Sequence, residues 1–391
     1  MVNEQTKNII FLSPQTQYEN LGDLIIIKVL LDNLRKYGNL VINEKDLPEW
    51  FCQELEIKQD ERASKYRSKF SLLVLKFALK NLFSSKNKIY YILTPGHRFS
   101  VNTDNYNFGE YLNYLNKKIQ SLTTYAIFKI LGVRICRFGV SIGPFSTIDE
   151  IAEKVQSNLM YFYSVRDTKS ETYAKKIGIN KVKIFPDLAW LLKVNTTNNN
   201  LVHFNNEYVI LSFRESTHSF DESDTYRRNL FPILDEIVKT VCNKWNKKLL
   251  VSYQVDMDYE FNKEIYYRYK GDYNVTFVDQ KIDSQKMYDL YSRAYMIFSN
   301  RLHVLMFATV CGSIPVAVVD KARHDKIIGI FSDAELMQQV VDISSSEHIL
   351  DLLNNIEVNT EVIKKDLALC LEKYQTAGDT TFKYVMAEKM K

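Results

Sequence analysis

Short runs of β-branched and aromatic residues alternate along this chain with longer stretches in which apolar positions recur every three or four residues. Runs that are apolar throughout, rather than every second residue, suit strands buried on both faces of a parallel sheet covered by helices. The first unit is plain: "NIIFLS" predicts a strand, a polar loop follows, and "LIIIKVLLDNLRKYG" predicts a helix closed by Gly38. Further strands are expected at "LVIN", "IYYILT", "VRICRFGVSI", "MYFYSV" and "VKIF". The stretch Asn195 to Asn200, "NTTNNN", holds turn formers and nothing to bury, so a boundary is expected there. A second series then begins, with strands expected at "YVILSF", "KLLVSY", "VTFVD", "MIFSN" and "PVAVV". From about Glu347 the pattern turns helical and charged. The expected organisation is two α/β domains, 1–194 and 201–391, joined by a linker at 195–200, the second carrying a helical tail.

The totals narrow the function classes. At 391 residues two cores are expected, and 51 basic against 47 acidic residues, a net charge of +4, argue for no nucleic-acid partner. The N-terminal residues show no secretory pattern, which predicts a cytoplasmic protein. Cys52, Cys136, Cys242, Cys311 and Cys370 are scattered without metal-ligand spacing, so reduced thiols and no metal site are expected. No apolar run reaches the length of a membrane span. One segment changes this picture: Lys65 to Lys88, "KYRSKFSLLVLKFALKNLFSSKNK", carries seven basic residues, no acidic ones, and apolar residues at helical spacing. It reads either as a packed helix with a solvated basic face or as a peripheral contact with an anionic membrane.

Ligands of open α/β sheets collect beyond the carboxyl ends of the strands. There the chain reads "SNRLHVLMFATVCGSIPVAVV", a buried strand end followed by a buried helix, with Ser299 or Asn300 expected as its N-cap. Arg301 and His303 stand at the helix N-terminus, where a cation is unfavourable by about 0.3–1 kcal/mol unless an anion occupies the site. The competing reading pairs Arg301 with an internal carboxylate. Other strand ends supply Arg214 in "VILSFRES", Arg166 in "YFYSVRDTKS", and His97 and Arg98 in "ILTPGHRFS". The loop "SPQTQYENLGDLIII" offers Asn20, Gly22 for close approach, and Asp23 at a helix start. Several cations at strand ends point to a small, highly anionic ligand.

In their order along the chain, "ENLGDLIII", "VSIGPF", "FYSVRDTKS" with "FPDLAW", and "SNRLHVLMFATVCGSIPVAVVDKARHDKI" resemble the polysaccharide pyruvyl transferases. The resemblance spans Asn20 to about Phe331 and departs from the family pattern at "TPGHRFS" and at Leu21. It implies two Rossmann-like domains facing a cleft, similar to GT-B glycosyltransferases. It also implies transfer of pyruvate from phosphoenolpyruvate onto two hydroxyls of a sugar in a cell-surface polysaccharide precursor, exopolysaccharide or capsule, with phosphate released and no cofactor. The sugar acceptor is expected on a lipid carrier at the inner face of the membrane. Arg301 and His303 would be catalytic; Arg214, Arg166 and Leu302 would join them on phosphoenolpyruvate; Asn20, Gly22, Asp23, His97 and Arg98 would serve the acceptor. Lys326 is a further contact or a surface lysine. The rival readings are a GT-B glycosyltransferase using a nucleotide sugar and a non-catalytic saccharide-binding or assembly protein of the same fold.

Overall fold

The computed structural model describes residues 8–84, 87–103, 105–194, 207–215, 223–345 and 349–387. The expected linker, 195–200, lies outside them, as do residues 85 and 86 of the basic segment. The first sheet contains β1 (Asn8–Leu12), β2 (Gly38–Ile42), β3 (Ile89–Leu93), β4 (Gly96–Arg98), β5 (Arg134–Ile142), β6 (Phe162–Val165) and β7 (Lys183–Ile184). Its order is β2-β1-β3-β5-β6-β7, with β4 also paired to β5. The second contains β8 (Tyr208–Ser212), β9 (Lys248–Val251), β10 (Val275–Phe277), β11 (Ala294–Ser299), β12 (Ile314–Val319) and β13 (Val340–Asp342), in the order β10-β9-β8-β11-β12-β13. Every described pairing is parallel, as the uniformly apolar runs predicted.

The helices are α1 (Leu21–Arg35), α2 (Glu49–Glu54), α3 (Phe70–Ser84), α4 (Phe108–Ile130), α5 (Thr147–Leu159) and α6 (Thr168–Lys176). They continue as α7 (Ser223–Lys239), α8 (Tyr259–Tyr269), α9 (Ser284–Tyr291), α10 (Leu302–Val310), α11 (Asp325–Asp333) and α12 (Ile349–Met386), the last broken at Asn359. No described helix is long and apolar enough to cross a membrane.

Two compact units result. The first comprises Met1–Tyr18, Ile26–Leu188 and Ala377–Lys391; the second comprises Glu19–Ile25 and Ala189–Thr376. The end of the helical tail therefore belongs with the first unit, because Phe382 stacks on Phe138 of β5 at 4.7 Å and Asn8 donates to the Met386 carbonyl. The turn that opens α1 is grouped with the second unit rather than the first.

Local chemistry explains most element ends. Asn107 and Glu110 form a capping box on α4, and Asp167 and Asp283 cap α6 and α9. Gly38 opens β2 instead of closing α1, which stops at Arg35. It pairs with Asn8, and a Cβ there would come within 2.8 Å of the Asn8 Cβ, so close strand pairing claims this glycine. Strands β4 and β13 were not expected: β4 is Gly-His-Arg, without an apolar residue, and β13 holds two valines between polar neighbours.

Candidate active site

The site begins where β11 ends. All six residues of β11 are buried, as are Val304 to Val310 of α10, so the junction between them is held on nearly every side. Neither Ser299 nor Asn300 caps α10, contrary to expectation; the N-cap position is Arg301, without a side-chain cap. Both side chains are committed elsewhere. Ser299 Oγ donates to the Ser212 carbonyl at 2.5 Å and accepts from the Arg301 N–H at 3.0 Å.

Asn300 grips the loop after β8: its Oδ1 accepts from the Arg214 N–H at 2.7 Å, and its Nδ2 donates to the Arg214 carbonyl at 2.6 Å. A second buried asparagine does the same one residue earlier. Asn262 of α8 accepts from the Phe213 N–H at 2.9 Å and donates to the Phe213 carbonyl at 2.6 Å and the Asp258 carbonyl at 2.8 Å. Two fully paired amides thus fix residues 213 and 214 and the backbone of Asp258.

These anchors bring Arg214, Asp258 and Arg301 together. Arg301 Nη2 donates to Asp258 Oδ1 at 2.6 Å, and its Nε faces Oδ2, a two-pronged pair in which the carboxylate is 2% and the arginine 15% exposed. Burial pushes the Asp258 carboxyl above its usual value, against the pull of Arg301 and Arg214. Burial and then the neighbouring Arg301 hold Arg214 below the usual arginine value, with Asp258 opposing. Among the described residues Arg214 has no ion-pair partner of its own. Asp258 is paired to Arg301, and Arg214 stands within electrostatic reach of both, leaving about one positive charge in excess in a half-buried place.

His303, in the first turn of α10, stacks on Phe307 with ring centroids 5.9 Å apart. Gly22 also lies close to it: a Cβ there would stand 2.6 Å from His303 Cγ and closer still to Nδ1. Asn20 starts α1 by accepting the Gly22 N–H at 3.0 Å, and Asp23 follows in the first turn. Leu302 opens α10 half-buried, and Lys326 is exposed in the first turn of α11.

A match to the polysaccharide pyruvyl transferase family model covers residues 20–320, which includes all of these groups. The chain belongs to that family. No curated protein matches this transferase. Its fold is similar to UDP-GlcNAc 2-epimerase from Neisseria meningitidis bound to UDP-GlcNAc, at 12% identity and a TM-score of 0.57 over 98% of this chain and 100% of that one. A putative UDP-N-acetylglucosamine 2-epimerase from Listeria monocytogenes aligns at 11% identity and TM-score 0.57, covering 97% and 96%. An alpha,alpha-trehalose-phosphate synthase (UDP-forming) from Burkholderia vietnamiensis aligns at 11% identity and TM-score 0.50, covering 98% and 99%. These likenesses establish two parallel-sheet α/β domains of GT-B type with a helical C-terminal segment.

The remaining expected residues of the transferase lie in its first unit. Arg166, expected on the donor, has internal partners. It is buried, with Nη1 donating to Asp187 Oδ2 and Nε to Ser141 Oγ, both at 2.6 Å, so its fork is filled by the protein. His97 Nε2 lies 3.2 Å from the Gly143 carbonyl, and Arg98 Nε lies 3.4 Å from Glu153 Oε2. Beside Arg98, a cavity of about 80 Å³ is lined by Lys118, Tyr125, Phe145, Asp149 and Glu153.

Sequence reading missed Asp258, Asn262 and the bracing role of Asn300. Asp258 follows β9 in "SYQVDMDYE", so the strand-end rule that found Arg214 covers it too. What marks Asp258 as special is a partner 43 residues away, which no local pattern encodes.

Proposed function

We propose that this transferase moves the pyruvate unit of phosphoenolpyruvate onto two hydroxyls of one sugar in a polysaccharide precursor, releasing phosphate and leaving a cyclic ketal. The observation that carries the reading is Arg214 standing without an ion pair, among the described residues, within electrostatic reach of the buried Arg301–Asp258 pair. Phosphoenolpyruvate bears a carboxylate and a phosphate on the same carbon, C2. One of these on the guanidinium pair, with the uncapped first turn of α10 beside it, cancels the excess charge.

The chemistry then balances as follows. A proton is delivered to the methylene carbon, which becomes the methyl group, and positive charge develops at C2. One sugar hydroxyl adds to C2, the C2–O bond to phosphate breaks, and the second hydroxyl closes the ring. Of the two hydroxyl protons, one replaces the proton given to the methylene carbon and the other leaves with phosphate. His303 is the group we assign to carrying these protons, a contribution generally worth about 10²–10⁴ in rate. Its ring stacks on Phe307 and lies close to Gly22, which supports a fixed trajectory. Asn20 and Asp23 are assigned to the acceptor hydroxyls, with His97 and Arg98 to be tested by substitution alongside them. The step as written requires no metal or organic cofactor.

The test is phosphate release coupled to mass spectrometry of the sugar product, with phosphoenolpyruvate and a panel of galactosyl, glucosyl and mannosyl acceptors, free and lipid-linked. The expected product is an acceptor carrying one ketal-linked pyruvate, formed equally in the presence of a chelator. Thermal stabilisation by uridine diphosphate but not by phosphoenolpyruvate would instead favour a nucleotide-sugar enzyme. Tight saccharide binding without turnover would favour a binding protein.

A further inference from the structure

Helices α3 and α4 pack against one another on the first sheet, sharing a core in which Leu73, Val74 and Ala78 meet Phe128, Ile89 and Ile135. A helix that buries one stripe should be polar on the other. Neither helix is. On α3, Leu72, Leu79 and Phe83 are exposed, Phe83 at 92%. On α4, Phe108, Leu112, Ile119 and Ile130 are exposed, with Phe108 at 78% and Ile130 at 80%. At 100° per residue, these three on α3 and these four on α4 each fall within about 40° of a single line along their helix, with Leu82 and Ile127, also exposed, to the side. Each helix thus carries a second apolar stripe, turned away from the core.

The charge around these stripes is one-sided. Lys69, Lys76 and Lys80 are exposed and, among the described residues, carry no ion pair. On the helical wheel Lys76 and Lys80 fall within about 80° of Leu72, on its side of α3. Lys65 and Arg67 are also exposed just before the helix, and no acidic residue occurs between Lys65 and Lys88. Exposed apolar rows of this length mark an interaction surface.

We propose that the outward face of α3 and α4 docks the protein on an anionic lipid surface. Phe83, Leu79, Leu72, Ile119 and Ile130 enter the boundary between headgroups and acyl chains, while Lys69, Lys76 and Lys80 reach the lipid phosphates along their flexible stems. Charge decides against a second copy of this chain. A two-fold pairing through the same patch sets lysine against lysine without a carboxylate between them. A protein partner would have to bring its own acidic surface, whereas an anionic leaflet supplies one everywhere. The inference does not depend on the donor chemistry proposed above, since its readout is binding alone.

The experiment sediments the full chain with vesicles of phosphatidylcholine containing about one third phosphatidylglycerol, and with phosphatidylcholine alone. Binding to the anionic vesicles that weakens with salt is expected. Each lysine should contribute about fivefold, so Lys69→Gln/Lys76→Gln/Lys80→Gln should lower partitioning about 100-fold. Leu79→Ser/Phe83→Ser and Ile119→Ser/Ile130→Ser should each lower it about tenfold or more, without changing circular dichroism or turnover of a soluble acceptor. No wild-type binding, or binding equal in the wild type and these variants, overturns the proposal. So does a concentration-dependent dimer, seen by light scattering, that Leu79→Ser/Phe83→Ser abolishes.

Discussion

Replacing Gly22 by alanine sets two physical effects against each other and reads their sum. Helix propensity alone favours the change: alanine in α1 is better than glycine by up to about 1 kcal/mol, less in a first turn. The structure predicts the opposite. The new Cβ would stand 2.6 Å from His303 Cγ and 2.8 Å from its Cβ, where ordinary contact needs about 3.5 Å. The imidazole must retreat by about 1 Å, which disturbs its stacking on Phe307. A displacement of that size at a reacting group costs about 10²-fold in rate. The expected outcome for Gly22→Ala is a fall of about 100-fold in kcat for phosphate release, no rise in melting temperature, and a donor KM that changes much less. Steady-state kinetics with phosphoenolpyruvate and a thermal melt on the same preparation suffice. A variant that melts higher and turns over like the wild type would refute the packing of Gly22 on His303 as a catalytic constraint.

Arg301→Ala should destabilise the second unit by about 3–5 kcal/mol, because it strands the Asp258 carboxylate, 2% exposed, without its partner. Adding Asp258→Asn should restore most of the melting temperature while phosphoenolpyruvate binding stays weak, which separates the stabilising role of Arg301 from its donor role. His303→Ala should keep the fold and lose about 10²–10⁴ in kcat; full activity would remove His303 from the mechanism. Acid stability tests the first unit. Burial works against the charge of Glu153, yet Arg137 and then Arg98 outweigh it and hold its carboxyl below its usual value. Its stabilising contribution is complete above the unfolded-state value and disappears as pH falls through the lower folded one. The wild-type melting temperature should therefore drop more steeply than that of Glu153→Gln between about pH 5 and pH 3.

Much of the fold was legible because strands of a covered parallel sheet are mostly apolar, and eleven of the thirteen described strands fall in such runs. β4 and β13 did not announce themselves, since Gly-His-Arg holds no apolar residue and β13 is two valines between polar neighbours. The candidate site was half legible. Arg214 and Arg301 stand at strand ends, and a cation at the head of a buried helix breaks a local rule that needs an explanation. The explanation combines the two readings that sequence left open: Arg301 is paired to an internal carboxylate, and the cluster still holds excess positive charge. Arg166 is likewise paired to an internal carboxylate, Asp187.

By itself, the order of residues determined the two α/β series, the strand ends where chemistry collects, the buried character of α10 and the basic composition of α3. These follow from periodicity, turn chemistry and local charge, which act over a few residues. Only tertiary structure decided that Asp258 faces Arg301, that Asn300 braces Arg214 instead of capping α10, and that Gly22 lies under His303. It also decided that α3 and α4 keep an apolar stripe outside the core. Each of these depends on which distant groups burial brings within contact range, and a buried charge or an uncovered leucine takes its meaning from those neighbours.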